Sequence, residues 1–491
     1  MQKIAIAGLA AVAAVLGGAA VPAVAMAQPL SAAHPVAAAA AGTAEARPVS
    51  AAALRSAGAA RIAEASQIAR AVKRAGLGGH ADLAAAAADG GSSAGEPLDS
   101  CVFTVLCLAV DGAANLTGSA SGSSVSAATA TAPLVHAAQW NGSSWKGVGV
   151  TLPTGTKAAD LNGVSCKGAK SCLVAGDYYT STSDTAAPHA LALIYNGTSL
   201  KPAPAVPLPK GTSDAMLSDV SCVTTSYCVA VGVADGTSAA FGADGELILI
   251  DSWNGSKWTL HTASEGNGSS ESLPTEVSCA TTAFCALAGE KITISGSASA
   301  PTIGFGLYVA DWNGKTLSTM KSAAAAASSA DLVAPLSVSC ATTANCGVTG
   351  LEVDDTSDSS AGVDSFTEIW NGSSWQLATT PWPAGSTEEI TLGISCYAAH
   401  TCEAVGADST DPLTATDPSS DVAAVSYTGT TGTMQSLSVP AKGYSDLFTD
   451  LSCLPWGTCV AVGDTGKDTA TTPGTMTGTW NGKAWALHPG L

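Results

Sequence analysis

Past residue 97 the chain reads as short apolar runs separated by polar, turn-forming stretches, with hydrophobic residues at alternate positions rather than at helical spacing. One unit shows the pattern in full. Val220-Ser221-Cys222 is followed by five residues, then by Cys228-Val229-Ala230-Val231-Gly232, a variable polar stretch, the run Leu247-Ile248-Leu249-Ile250, and Trp253-Asn254-Gly255-Ser256-Lys257-Trp258. These are four short β-rich runs bounded by turn signals. An Asn-Gly pair between apolar runs predicts a tight hairpin, because such a turn needs positive φ. The pair recurs at Asn141, Asn196, Asn254, Asn313, Asn371 and Asn481, while the sixth unit has Tyr427-Thr428-Gly429 instead.

The cysteines give the period. They fall as Cys101/Cys107, Cys166/Cys172, Cys222/Cys228, Cys279/Cys285, Cys340/Cys346, Cys396/Cys402 and Cys453/Cys459, and successive pairs begin 65, 56, 57, 61, 56 and 57 residues apart. A near-constant period of this length marks a repeat fold. Four strands in each of seven units predict an all-β, seven-bladed β-propeller over residues 98–491, with repeats starting near 98, 163, 219, 276, 337, 393 and 450. An open β-solenoid is the competing architecture, for which these units are long. The C-x5-C spacing places two Cys across a hairpin at the separation a disulfide accepts, so one bridge is expected in each blade with no Cys left over. Each such small loop contributes about 2 kcal/mol on the chain-entropy model. Zinc is the rival ligand, but the C-x2–4-C spacing and companion His of zinc sites are missing.

The N-terminus changes the picture of where the protein works. Lys3, an apolar run from Ile4 to Val24, and Ala25-Met26-Ala27 before Gln28 read as a signal peptide over residues 1–27. Residues 28–97 form an Ala-rich linker or pro-segment, helical or disordered. It is read either as a tether or removed segment, or as a basic helix that docks on the acidic propeller or on an anionic surface. No second apolar stretch is long enough to span a bilayer, so a secreted, extracellular monomer with no membrane span is expected.

Charge excludes one class of partner. All five Arg (Arg47, Arg55, Arg61, Arg70 and Arg74) precede residue 75, and from Leu98 onward 13 Lys face 34 Asp and Glu, a formal balance of −21. A nucleic-acid footprint needs clustered Lys and Arg, so no nucleic-acid partner is expected.

Candidate chemistry is sparse. Most Trp flank the Asn-Gly turns and read as packing between blades. Trp382, in Pro381-Trp382-Pro383, and Trp456, inside the Cys453/Cys459 loop, lie outside that register and are candidate binding aromatics. Asp219, Glu276 and Asp450 each precede the first Cys of their repeat by three residues. If that strand is innermost, the three converge on the mouth of the channel, where like charges recruit a cation, with calcium the ion that all-oxygen ligands suit. Ordinary strand-entry polarity is the alternative. In a four-stranded meander the Cys hairpins and Asn-Gly turns share one short face. The opposite face receives the long loops from Gly112 to Ala132, Leu351 to Asp364 and Ala407 to Asp421, where binding is expected. Asp354, Asp355 and Asp358, or Asp408, Asp411 and Asp417, are oxygen donors in those loops without the ordered EF-hand pattern.

The repeat, from V-S-C through C-x-A-V-G to W-N-G-x-x-W, resembles sialidase-like and photosystem-assembly-factor-like propeller repeats. It is also similar to secreted seven-bladed propellers of high-GC bacteria grouped with galactose oxidase and kelch propellers. The resemblance implies the fold. Their chemistry does not carry over: sialidases grip a carboxylate with three Arg and this propeller has none, and Trp370 to Trp375 replaces their Asp-box turn. Galactose oxidase needs a Tyr-Cys cross-link and His ligands, yet every Cys is committed to a pair and His136, His189, His261, His400 and His488 share no position in the unit. Three readings follow: a binding propeller for an extracellular glycan, cell-envelope polymer or protein; a hydrolase or lyase using carboxylates or a metal; or a structural surface scaffold.

Overall fold

The computed structural model describes residues 98–489 apart from loop segments, the longest being 113–134, 323–331, 354–362 and 410–420. The expected signal peptide and Ala-rich segment lie outside the described residues. Seven sheets follow one another along the chain, each with four antiparallel meander strands hydrogen-bonded in sequence order, and Gly149–Val150 adds a parallel fifth strand beside Ser199–Pro202 in the second. They occupy residues 98–147, 158–202, 215–263, 270–319, 332–377, 388–434 and 444–489, hereafter blades 1 to 7. The first strands, Leu98–Phe103, Ala158–Gly168, Ala215–Thr224, Ser270–Thr281, Leu332–Thr342, Glu388–Ala398 and Tyr444–Cys453, each touch the next, and the last touches the first. The ring is closed, and the V-S-C strand is innermost.

A side chain that looks unremarkable in the sequence makes the blade-to-blade joint. The Ser before the first Cys accepts the backbone N–H of the first Cys in the next blade: Ser100 from Cys166, Ser165 from Cys222, Ser221 from Cys279, Ser278 from Cys340, Ser339 from Cys396 and Ser395 from Cys453, at 2.9–3.0 Å. Ser452 of blade 7 accepts from Cys101 of blade 1 at 3.0 Å. The ring therefore closes with the contact that builds it.

Apolar packing follows the same step. The residue two before the first Cys points back at the preceding blade, as Val220 does toward Leu173 and Ala175, and Val277 toward Val229 and Val231. Asp99 holds this position in blade 1, where the apolar cluster reduces to Cys107, Trp140 and Val460. Among the described residues the seam between blades 7 and 1 thus has a small apolar cluster, and Trp145 donates its indole N–H across it to Thr477 at 2.6 Å.

Inside each blade, all seven C-x5-C pairs are disulfides joining the first two strands, with Cα–Cα distances of 3.8–4.0 Å. The second Cys of a pair stands on a strand flanked on both sides, so it is buried: Cys285 and Cys346 are 0% exposed and Cys402 is 1% exposed. Cys285 packs in the apolar cluster between blades 3 and 4, Cys346 in that between blades 4 and 5, and Cys402 in that between blades 5 and 6. In blades 2 to 7 the innermost strand carries a β-bulge just before the position three ahead of its first Cys, as between Leu217 and Asp219. The Gly that closes the second-strand motif lies against it. A Cβ on Gly232 would sit 2.0 Å from the Met216 carbonyl oxygen, so only Gly fits. The Asn-Gly hairpins are four-residue loops in which Asn accepts two backbone N–H groups, Asn254 from Ser256 and Lys257 at 3.0 Å, and only Gly255 takes positive φ (92°).

Replacing Ser278 by Ala leaves the Cys340 N–H without its partner at a blade joint. Such a loss costs about 1–3 kcal/mol, which lowers the midpoint of a urea denaturation curve. An unchanged midpoint would show that the serine contact carries no stability.

Candidate functional site

The three aligned carboxylates lie midway along innermost strands that begin at Ala215, Ser270 and Tyr444. Asp219 accepts the N–H of Val220 at 2.7 Å and, from the next blade, that of Val277 at 2.9 Å. Asp450 does the same with Leu451 at 2.9 Å and Asp99 at 3.1 Å. Ser337 fills the equivalent role toward Ile394 at 3.3 Å, and Glu276 is buried. The carboxylates of Asp219 and Asp450 are thus a second set of fasteners beside the serine ring. Among the described residues, the only grouping whose candidate ligand atoms lie within 4.8 Å of one another is Asp99, Cys101 and Cys107, whose sulfurs are in a disulfide. The structure does not bring Asp219, Glu276 and Asp450 together round one ion.

The cysteines pair as the spacing predicts, and the second of each pair is a core residue. Cys107, Cys285, Cys346, Cys402 and Cys459 are at most 1% exposed, and Cys172 and Cys228 are also buried, because the second strand of each blade is covered by its sheet neighbours and by the adjoining blade. Every described Cys is oxidised, so no thiol is left to ligate a metal or attack a substrate.

Of the long loops expected to bind, residues 113–134, 354–362 and 410–420 lie outside the described residues, and with them Asp354, Asp355, Asp358, Asp411 and Asp417. Asp408 is described. It pairs across strands with Asp421, and burial together with that neighbouring charge raises its pKa. Asp160 and Asp177 are likewise opposite one another in blade 2. Acidic groups therefore gather at the strand ends remote from the disulfides.

The disulfide face has the opposite character. Its fourteen short loops, seven between paired Cys and seven between the third and fourth strands, contain no Asp or Glu, while Lys167, Lys170, Lys257, Lys315 and Lys483 lie in them. The Trp of the turns are mostly buried, with Trp140, Trp253, Trp258, Trp312, Trp375 and Trp485 all below 9% exposure. Trp382 is half-buried. Trp456 is 61% exposed.

Its exposure has a local cause. Six Cys hairpins continue pairing to the residue two past the first Cys, as in Thr224↔Tyr227, and those of blades 2 to 6 close with a two-residue turn. Leu454-Pro455-Trp456-Gly457-Thr458 cannot do so, because Pro455 has no N–H to give. Pairing stops at Cys453↔Cys459. The loop closes instead through Thr458 carbonyl to Leu454 N–H at 2.9 Å and Leu454 carbonyl to Gly457 N–H at 2.8 Å, with Gly457 at φ 81°. A Cβ on Gly457 would lie 3.1 Å from the Tyr397 ring, so the Trp456 loop rests against that ring. The Asn481–Ala484 turn flanks it, with Gly482 facing the Gly457 carbonyl.

Beneath Tyr397 lies Glu403, buried at a register position that is apolar or Gly in the other blades. Its carboxylate accepts from Tyr397 Oη at 3.2 Å, Ser426 Oγ at 2.9 Å and Gln435 Nε2 at 2.8 Å. Gln435 in turn accepts the Trp485 indole N–H. Burial pushes Glu403 up to about 7, and burial and the Glu403 charge push Tyr397 up to about 12. Asp251 is fully buried, with neither oxygen hydrogen-bonded, and burial raises it to about 8. Asp99 is raised well above the carboxylate range by burial and by Asp450. None of these buried acids was singled out in advance. The available signal was an acid standing where the repeat is otherwise apolar, as Asp99 does among Val164, Val220, Val277, Val338, Ile394 and Leu451.

No protein-family model matches the sequence, and no curated protein matches it significantly. Solved structures that overlap it include YCF48 bound to a D1 peptide (11% identity, 77% of this chain, 91% of that chain, TM-score 0.38). A PL25 ulvan lyase bound to -[GlcA(1-4)Rha3S]- overlaps at 8% identity, 82% and 96% coverage and TM-score 0.48. Penicillium chrysogenum α-L-arabinanase complexed with arabinobiose does so at 10%, 64% and 87%, and 0.37. At these TM-scores the overlaps carry no argument. The propeller stands on its own strand pairing and ring closure.

The raised carboxyls set a pH dependence. A folded pKa above the unfolded value means the native state holds its proton longer, so this contribution is whole only below the unfolded carboxyl pKa of about 4 and is lost as pH rises from there to about 8 for Asp251 and about 7 for Glu403. The melting temperature is expected to be higher at pH 5 than at pH 8.5, and Asp251→Asn to flatten the difference by raising the pH 8.5 value. An equal slope in wild type and variant would show that Asp251 does not titrate in this range.

Proposed function

We propose that this propeller is an extracellular binding protein that engages a glycan, cell-envelope polymer or protein through its disulfide-clamped face. The observation that carries the reading is Trp456, 61% exposed on a hairpin that is closed by a disulfide and whose proline breaks the turn used by the other blades. A large exposed aromatic on a rigid support offers stacking area at low ordering cost, which is the property of a recognition residue. Its neighbour Tyr397 is half-buried and tied to Glu403, so the surface is preorganised. Seven disulfides suit an oxidising compartment, and no helix among the described residues is long and apolar enough to cross a membrane. The resemblance to sialidase-like and kelch-like repeats supports the blade architecture of this reading and supplies no catalytic group to it.

The test is co-sedimentation of the purified protein with insoluble cell-wall and polysaccharide preparations. Trp456→Ala should lower the bound fraction about tenfold, the loss of roughly 1.4 kcal/mol of contact, with a melting curve close to wild type because the side chain buries little. Equal retention of variant and wild type, or no retention of wild type on any preparation, would overturn the reading.

A further inference from the structure

We infer that Trp456, Tyr397 and Lys483 form a subsite for an anionic pyranoside, the acidic sugar unit of a charged polysaccharide. The inference rests on the binding reading above and assigns its ligand class. Three features on adjacent loops meet here. Trp456 presents an apolar ring to solvent. Tyr397 packs under the same loop through Gly457, with its ring edge and its hydroxyl both against that loop and the hydroxyl donated to Glu403, so the aromatic is held in place. The exposed Asn481–Ala484 turn carries Lys483 next to Gly482, which faces the Gly457 carbonyl of that loop.

A pyranose ring has an apolar face of C–H groups that fits an indole and a polar edge that does not. A flat aromatic with a cation at its margin therefore selects a sugar whose edge is negatively charged. The surroundings reinforce the sign of that choice. The domain is strongly acidic overall, so an anionic ligand is repelled almost everywhere except at a face whose loops hold Lys and no carboxylate. The nearest carboxylate in the hydrogen-bonded network, Glu403, is buried beneath Tyr397. His400 lies exposed in the neighbouring Cys396/Cys402 hairpin.

The experiment is affinity electrophoresis of the full-length mature protein in gels containing polygalacturonate, the same polymer after carboxyl reduction, dextran and dextran sulfate. Retardation is expected in polygalacturonate and lost on carboxyl reduction, with about tenfold weaker apparent affinity for Trp456→Ala and for Lys483→Gln, and weakening as salt rises. Retardation by dextran sulfate that depends equally on Trp456 assigns the anionic group as sulfate as well as carboxylate and supports the inference. Equal retardation by native and carboxyl-reduced polymer, or wild-type affinity in Lys483→Gln, overturns the inference and leaves the binding reading standing on the sedimentation assay. Retardation by both polyanions that ignores Trp456→Ala also overturns it, as plain ion exchange. Failure to bind any polymer here together with failure to sediment overturns both.

Discussion

Everything in this molecule depends on a hydrogen bond made seven times, from the N–H of one blade's first cysteine to the serine hydroxyl of the blade before. A propeller must join sheets that share no strand pairing around the axis, and its last joint must match the others although the chain supplies no covalent link there. Here Ser452 meets Cys101 at 3.0 Å, as Ser221 meets Cys279 at 2.9 Å, so closure needs no borrowed strand from the opposite terminus. The disulfide strengthens the arrangement by fixing the donor. The cysteine whose N–H faces the previous blade is tied at its sulfur to the second strand of its own, so neither strand shifts without straining the joint.

The period of the cysteines and the Trp-Asn-Gly loops made the architecture legible, because each is a local demand of the chain. Strand count, meander order and the pairing of all fourteen Cys could be read that way, whereas which strand is innermost could not. What could not be read is what depends on a neighbour about 57 residues away, a distance that only the ring brings to contact. Ser221 reads as a filler between Val and Cys until blade 4 is placed beside it. Asp219 reads as a charge at a strand entrance. The bulge that shifts it into the joint is announced only by Gly232 opposite, and that glycine resembles any other strand-ending glycine until the Met216 carbonyl is 2.0 Å from its missing Cβ.

The departures from the repeat are more informative than the repeat. Asp99 replaces an apolar residue at the one joint where the ring must close, and Glu403 replaces an apolar residue beneath Tyr397, which lies against the loop of the exposed Trp456. An acid in an apolar register costs stability as pH rises, since its burial raises its pKa and its ionised form is poorly solvated. Proteins break such local rules chiefly at functional or strained sites, so a costly substitution beside an equally unusual loop marks a place where stability was exchanged for position. Glu403 meets that description: it holds Tyr397 by its hydroxyl, and Tyr397 supports the Trp456 loop.

The distribution of charge follows from the meander and bears on orientation at a charged surface. Loops between the first and second and the third and fourth strands must be short to keep blades narrow at the disulfide end, and short loops of Ala, Thr, Ser, Asn and Gly leave little room for acids. The other end takes the variable connections and nearly all the crowding of like charges, as at Asp408 and Asp421. A ring built this way has a dipole along its axis whatever its net charge. Over a Debye length of about 8 Å at physiological salt such a field fades quickly, so it acts at contact rather than at range. On the proposed binding of an anionic polymer the lysine-bearing face would turn toward it, and among the described residues Trp456 is the large aromatic side chain exposed there. Charge thus selects the face, and the proline that breaks the seventh hairpin selects the point on it.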